Sequence, residues 1–311
     1  MIHGIINVYK EKGFTSHDVV AKLRGMTKQR KIGHTGTLDP DATGVLPVCL
    51  GRATKLCDLL TDKDKTYETV LLLGVTTDTQ DVSGEVLDRR STKELTETQV
   101  REAVQSFVGE YDQIPPMYSA LKVNGRKLYE LAREGKTIER KARRVKIYEI
   151  EILEMQLPRV RMRVTCSKGT YIRTLCHDIG EKLSCGGCME ELVRTKVSRF
   201  EIGEAYTLDE ISELCREEKL QRVVLPVDEM FSEYREVAVK EKWDSLVHNG
   251  NGFPEKAVLQ KPEGESPTPE IQDKERVRVY DSRSHFIGIY EYRSKVREYR
   301  IVKMFFNKDE I

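Results

Sequence analysis

The sequence predicts an α+β fold made of a larger first unit and a smaller, β-rich second one. Three observations carry that expectation. Helical and strand periodicities both occur, without the regular alternation of a parallel βαβ array. The chain has 311 residues, more than one compact core usually organises. Its character changes near Phe231 to Val237, where acidic helical segments give way to short strand-like ones.

Taken in order, Tyr67 to Leu73 reads as a strand. Val100, Ala103, Val104 and Phe107 fall at i, i+3, i+4 and i+7, which predicts an amphipathic helix. Val145 to Leu153 reads as a strand. In the next one, Val160, Met162, Val164 and Cys166 alternate with Arg161, Arg163 and Thr165, so its basic residues belong on the face away from the core. Ile172, Leu175, Cys176, Ile179 and Leu183 mark a second helix, and Thr207 to Glu210 is a capping box opening a third that carries Ile211 and Leu214. Val277 to Tyr280 and Phe286 to Tyr290 flank the turn-forming run Asp281 to Ser284, as in a small β module. Pro262, Pro267 and Pro269 among carboxylates and lysines predict a mobile insertion near 261–274. The expected domains are therefore 1–231 and 232–311.

Composition excludes several classes. No apolar run approaches the ~20 residues that span a bilayer, and Met1 to Lys12 lacks the apolar stretch of a signal peptide, so a cytoplasmic protein is expected. Seven scattered cysteines do not read as a disulfide framework, and reduced thiols are expected. Cys185-Gly186-Gly187-Cys188 lacks a second pair at zinc-like spacing, which predicts no metal there. The formal net charge of +1 hides an uneven distribution. Residues 122–146 carry ten basic side chains against three acidic ones, and Lys10 to Lys31 seven against two, whereas residues 201–236 carry eleven acidic against four basic. The basic runs are a footprint for a polyanion.

The chemistry centres on Gly33 to Arg52, punctuated by Gly33, Gly36, Pro40, Gly44, Pro47 and Gly51. Such a loop can hold an aspartate in a fixed, non-helical pose. It lacks the spacings of a nucleotide phosphate cradle or a dinucleotide site. Asp39 and Asp41 are too close in one loop to straddle a scissile bond, which leaves one working carboxylate.

This segment, with Lys65-Thr66-Tyr67-Glu68, Gly169-Thr170-Tyr171-Ile172-Arg173-Thr174-Leu175 and Leu192-Val193-Arg194-Thr195, resembles the bacterial tRNA pseudouridine-55 synthases, the TruB family. Lys12 to Asp18 and Ile114 to Lys122 extend the resemblance, which covers roughly residues 5–230 in ordered succession. Val193 departs from it, standing where the family often has an arginine.

The resemblance implies a catalytic domain with a mixed sheet and an RNA-binding cleft, followed by a small PUA-like RNA-binding domain. It implies isomerisation of a uridine in the T arm of tRNA, at position 55, with no cofactor, no metal and no required protein partner. By carry-over Asp39 is the catalytic carboxylate, attacking the nucleoside or abstracting a ribose proton. Arg173 keeps it ionised, and Tyr67 stacks on the flipped base and assists proton transfer. His34, Tyr171 and Leu192 line the nucleotide pocket. Lys122, Arg126, Arg140, Lys141, Arg143 and Arg144 belong to a flexible basic segment that grips tRNA phosphates. An RNA-binding or tRNA-folding module, and a guide-RNA-dependent synthase, are the alternative readings.

Overall fold

The computed structural model describes residues 1–259 and 270–308. Ten strands form one mixed sheet. Along it run Val224–Leu225, Gly4–Lys10, Thr43–Leu50, Gly187–Val197, Lys65–Leu73, Arg159–Cys166, Arg143–Gln156 and Gly109–Gln113. Ile32–His34 pairs with Thr43–Leu50, and Phe200–Glu201 with Gly187–Val197. Neighbours are antiparallel except at the centre, where Thr43–Leu50 meets Gly187–Val197 in parallel through Thr43 opposite Val193 and Gly44 opposite Arg194. Gly44 makes that junction possible. Its φ is +105°, and a Cβ there would lie 2.2 Å from the carbonyl oxygen of Arg194.

Alternation along the strands sorts side chains between layers. Ile6, Val8, Leu46 and Val48 pack beneath the helices Ser16–Thr27 and Leu208–Arg216, while Ile5, Val45 and Cys49 face the opposite way. In the other half of the sheet Tyr67, Leu71, Val160, Met162 and Val164 pack under the helices Glu97–Gln105 and Ile172–Lys182. The reverse face of that half is polar, as the alternation around Arg161 predicts. Arg159 pairs with Glu190, Arg161 with Glu191, and Arg163 with both Glu68 and Glu151. The expected helix ends earlier than its apolar spacing, leaving Phe107 just past Gln105. The capping box at Thr207 and Glu210 forms as expected.

A second, five-stranded sheet follows, in the order Arg235–Ala238, Arg276–Tyr280, Phe286–Arg293, Glu298–Met304 and Phe253–Pro254. Its core contains Val237, Val277, Phe253, Tyr290 and Tyr299. Ile289 and Phe305 instead join Ile5, Val45 and Leu56 in a cluster shared with the large sheet, and Tyr280 donates to Asp228 at 2.8 Å across the same junction. Of the insertion expected at 261–274, residues 261–269 lie outside the described residues.

The basic run is not an irregular segment. Lys122–Val123 and Arg126–Lys127 form a hairpin that leads into the helix Leu128–Arg133, and Arg143–Gln156 is a strand of the main sheet. The reason is a small apolar set within and just before the charge run. Met117, Leu128 and Leu131 bury one another, with Leu121, Val123 and Ile138 packed around them. Among the described residues no helix is long and apolar enough to cross a membrane.

Candidate active site

The hairpin of Ile32–His34 with Thr43–Leu50 holds the loop that carries Asp39. Few of the loop's polar groups bond to one another, so neighbouring elements fix it. Ser16 Oγ accepts from the Leu38 amide at 3.0 Å, and Gly13 donates its amide to the Pro40 carbonyl at 2.9 Å. Lys10, fully buried, donates from Nζ to the carbonyls of Phe14 at 2.6 Å and of Glu11 and Pro40 at 3.1 Å. Burial pushes its ammonium down to about 8, opposed by the nearby Asp39 and Asp41. On the opposite side Arg194 donates to Val45 at 2.7 Å and to Gly36 at 3.3 Å.

This leaves Asp39 facing Arg173. Nε lies 3.0 Å from Oδ2, and Nη2 lies 3.3 Å from Oδ1, a two-pronged contact suited to guanidinium geometry. The arginine side chain is 7% exposed and the aspartate 39%, so the cation is sealed in while the carboxylate still meets solvent. Burial raises the Asp39 pKa above the usual carboxylate range, and Arg173 pulls it back. The same guanidinium donates to the carbonyls of Tyr118 at 2.7 Å and Thr79 at 3.2 Å, and Asp81 lies 3.5 Å from Nη1. Asp81 is held in turn by Thr79 Oγ1 at 2.8 Å and by the Ser83 amide at 3.0 Å. Asp41 is exposed and outside this group, in keeping with one working carboxylate.

Tyr67 is 8% exposed and lies in one apolar cluster with Leu38 and Ala42 of the Asp39 loop, with Leu192 packed against it. Burial raises its phenol to about 12, and the fully buried Arg194 beside it partly opposes that rise. The hydroxyl therefore stays protonated at neutral pH, its oxygen accepting from Arg194. His34 is pushed down, first by burial and then by the charges of His17 and Arg194. Its Nδ1 accepts from the Gly36 amide at 3.3 Å, which leaves the proton of the neutral ring on Nε2. Tyr171 stands at the N-terminal cap of Ile172–Lys182, where the Gln113 carboxamide binds its backbone through two hydrogen bonds of 2.8 and 3.0 Å.

The structure pairs Asp39 with Arg173, puts Tyr67 and Leu192 in one apolar cluster, and fixes Tyr171 two residues before Arg173, while His34 lies against His17 at a ring separation of 5.6 Å. The six basic candidates divide. Arg126 pairs with Glu134, and Arg144 with Asp112 at 2.8 Å and Glu110 at 3.3 Å. Arg140 donates to the Pro115 carbonyl at 3.0 Å. Lys122, Lys141 and Arg143 are exposed, and no described carboxylate forms an ion pair with them. Sequence reasoning missed Lys10, Asp81, Gln113 and Arg194. Arg194 lies within a quoted motif, but a fully buried arginine has no signature in composition.

Comparison with known proteins gives the family. Residues 24–172 match the family model described as TruB family pseudouridylate synthase, N-terminal domain, and residues 173–232 match that of the tRNA pseudouridylate synthase B C-terminal domain. A protein of Lachnoclostridium phytofermentans named tRNA pseudouridine synthase B is 56% identical, over 98% of this chain and 100% of its own. One of the same name from Clostridium kluyveri is 45% identical over 97% and 99%. Among solved structures, a chain of a Cbf5-Nop10-Gar1 complex superposes with a TM-score of 0.70 at 26% identity, covering 99% of this chain and 86% of that one. With two family models matched in sequence order and relatives similar over nearly the whole length, the chain belongs to the TruB family of pseudouridylate synthases.

Proposed function

We propose that this protein isomerises uridine to pseudouridine in tRNA, at position 55 of the T arm, acting in the cytoplasm without a guide RNA or protein partner. The observation that carries the reading is the Asp39 carboxylate, open to solvent but gripped from behind by a buried Arg173. The reaction breaks the bond from C1′ to N1 and makes one from C1′ to C5. N1 gains a proton and C5 loses one, so atoms and oxidation state balance within the nucleoside. Asp39 acts on the nucleoside as nucleophile or on the ribose as base, and both routes need the ionised form.

A base inside a folded RNA arm is reached only by extrusion, and its lost stacking must be replaced. Tyr67 and Leu192 supply the apolar surfaces, with His34 and Tyr171 at the rim. Residues 1–231 form the catalytic unit, and the five-stranded sheet within 232–311 is a PUA-like RNA-binding unit. The positional claim is tested with transcripts labelled at C5 of uridine. Tritium release should vanish when the T-arm uridine alone is replaced by cytidine, and release that persists would refute the assignment to position 55.

Two further expectations arise here. Tyr67→Phe keeps the aromatic face but removes a hydroxyl held protonated, so turnover should fall by about 10²–10⁴-fold, the span of a lost proton-transfer group, with tRNA affinity retained. Single-turnover rates and binding titrations separate the two. On the basic run, neutralising Lys141 and Arg143 together should flatten the salt dependence of tRNA binding, by about 0.7–0.9 in slope for each phosphate that no longer meets a cation. Neutralising Arg126 and Arg144, which already have carboxylate partners, should change it less. A slope unchanged from that of the unmodified protein in both variants would remove the run from the interface.

A further inference from the structure

We propose that Gln113 is a positioning residue for the isomerisation, clamping the backbone of Tyr171 so that Arg173 is presented to Asp39; the proposal rests on the function inferred above. Gln113 ends the strand Gly109–Gln113 at the edge of the large sheet and is 1% exposed. Its Oε1 accepts from the Tyr171 amide at 2.8 Å, and its Nε2 donates to the Tyr171 carbonyl at 3.0 Å and to the Tyr111 hydroxyl. The orientation of the carboxamide follows from chemistry, since a peptide N–H can only donate and a peptide carbonyl only accept. An amide, or a protonated carboxyl in its place, offers a donor and an acceptor side by side on one carbon.

What the clamp holds gives it its importance. Tyr171 is the capping residue of Ile172–Lys182, and no side chain of its own segment caps that helix. The chain arrives through a turn at Ser167 to Thr170, with Gly169 at φ +77°, so no regular element fixes Tyr171 from the N-terminal side. The Tyr171 carbonyl also accepts the first helical bond, from Leu175 at 3.0 Å. A shift of this peptide therefore turns the first helical turn, on which Arg173 lies two residues later. That guanidinium meets Asp39 and Asp81 and two carbonyls within 3.5 Å, an arrangement that tolerates little rotation. Gln113 touches none of the reacting atoms and acts through the two residues that border them.

The test uses Gln113→Leu and Gln113→Glu in the full chain. Leucine fills the space but leaves the Tyr171 amide unpaired and its carbonyl with the helical bond from Leu175 alone. Single-turnover rate should fall by about 10²-fold, as expected for a misplacement near 1 Å, with tRNA affinity close to that of the unmodified protein. Glutamate gives a readout that a merely structural role would not move. Its ionised form still accepts from the amide but repels the carbonyl, whereas its protonated form restores both bonds. The rate of Gln113→Glu relative to the unmodified protein should therefore rise as pH falls, although both absolute rates decline. A ratio independent of pH, or loss of affinity and melting temperature in step with rate, would overturn the proposal. Amide hydrogen exchange separates it from the functional reading. Gln113→Leu should exchange faster at Tyr171 with the rest of the helix still protected, and unchanged exchange there refutes the clamp even if the unmodified protein proves to have no activity on tRNA.

Discussion

Asp39→Ala should abolish isomerisation, lowering the single-turnover rate by about 10⁴-fold or more, as loss of a group that attacks or deprotonates the substrate does. The fold should survive, because the loop is held by Ser16, Gly13, Lys10 and Arg194 through its backbone and not through this carboxylate. Affinity for tRNA should be unimpaired, since removing an anion from a site that receives a polyanion relieves repulsion. Tritium release at saturating enzyme, beside a binding titration, checks both halves. Weakened binding with an unchanged rate for bound tRNA would contradict the role.

The second large effect is expected at Arg173. Arg173→Ala leaves Asp39 and Asp81 without the cation between them and strips a donor from the carbonyls of Thr79 and Tyr118. Activity should fall by about 10²–10³-fold, the scale of a lost preorganised charge. The pH profile supplies the diagnostic sign. Burial raises the Asp39 pKa and Arg173 lowers it, so without the arginine the raising influence is opposed only by the weaker pull of Lys10. The reactive form is the carboxylate, whose activity is lost as pH falls through its pKa, so the acid limb should move to higher pH in the variant. Raising the pH should recover part of the deficit. Arg173→Lys should lie between, because one ammonium keeps the charge but cannot span two carboxylates and two carbonyls. An acid limb that stays in place would mean that Arg173 does not govern the ionisation of Asp39.

Much of this arrangement is legible in the sequence because local rules and the fold agree. The alternation at Val160 to Cys166 gives both the strand and its polar reverse face, where Arg161 and Arg163 find Glu191, Glu68 and Glu151. The Gly- and Pro-rich loop gives a fixed aspartate. What the sequence leaves hidden is set by distant pairings. The parallel junction of Thr43–Leu50 with Gly187–Val197 joins residues 150 positions apart, and only there does Gly44 acquire its meaning as a point of close approach. Lys10, counted in a basic run, and Arg194, quoted only within a motif, are both buried, their charges turned on backbone carbonyls of the Asp39 loop. The basic run misleads for a related reason, since its density of charge obscures the few apolar residues, Met117, Leu128 and Leu131, that fold it.

This chain alone, through Asp39, should convert a uridine of tRNA. The decisive experiment incubates the purified protein with an unmodified tRNA transcript carrying tritium at C5 of uridine, with no guide RNA, second protein or cofactor present. The expected result is release of one equivalent of tritium per tRNA, absent with Asp39→Ala. Full binding of the transcript with no release from either protein would contradict the account.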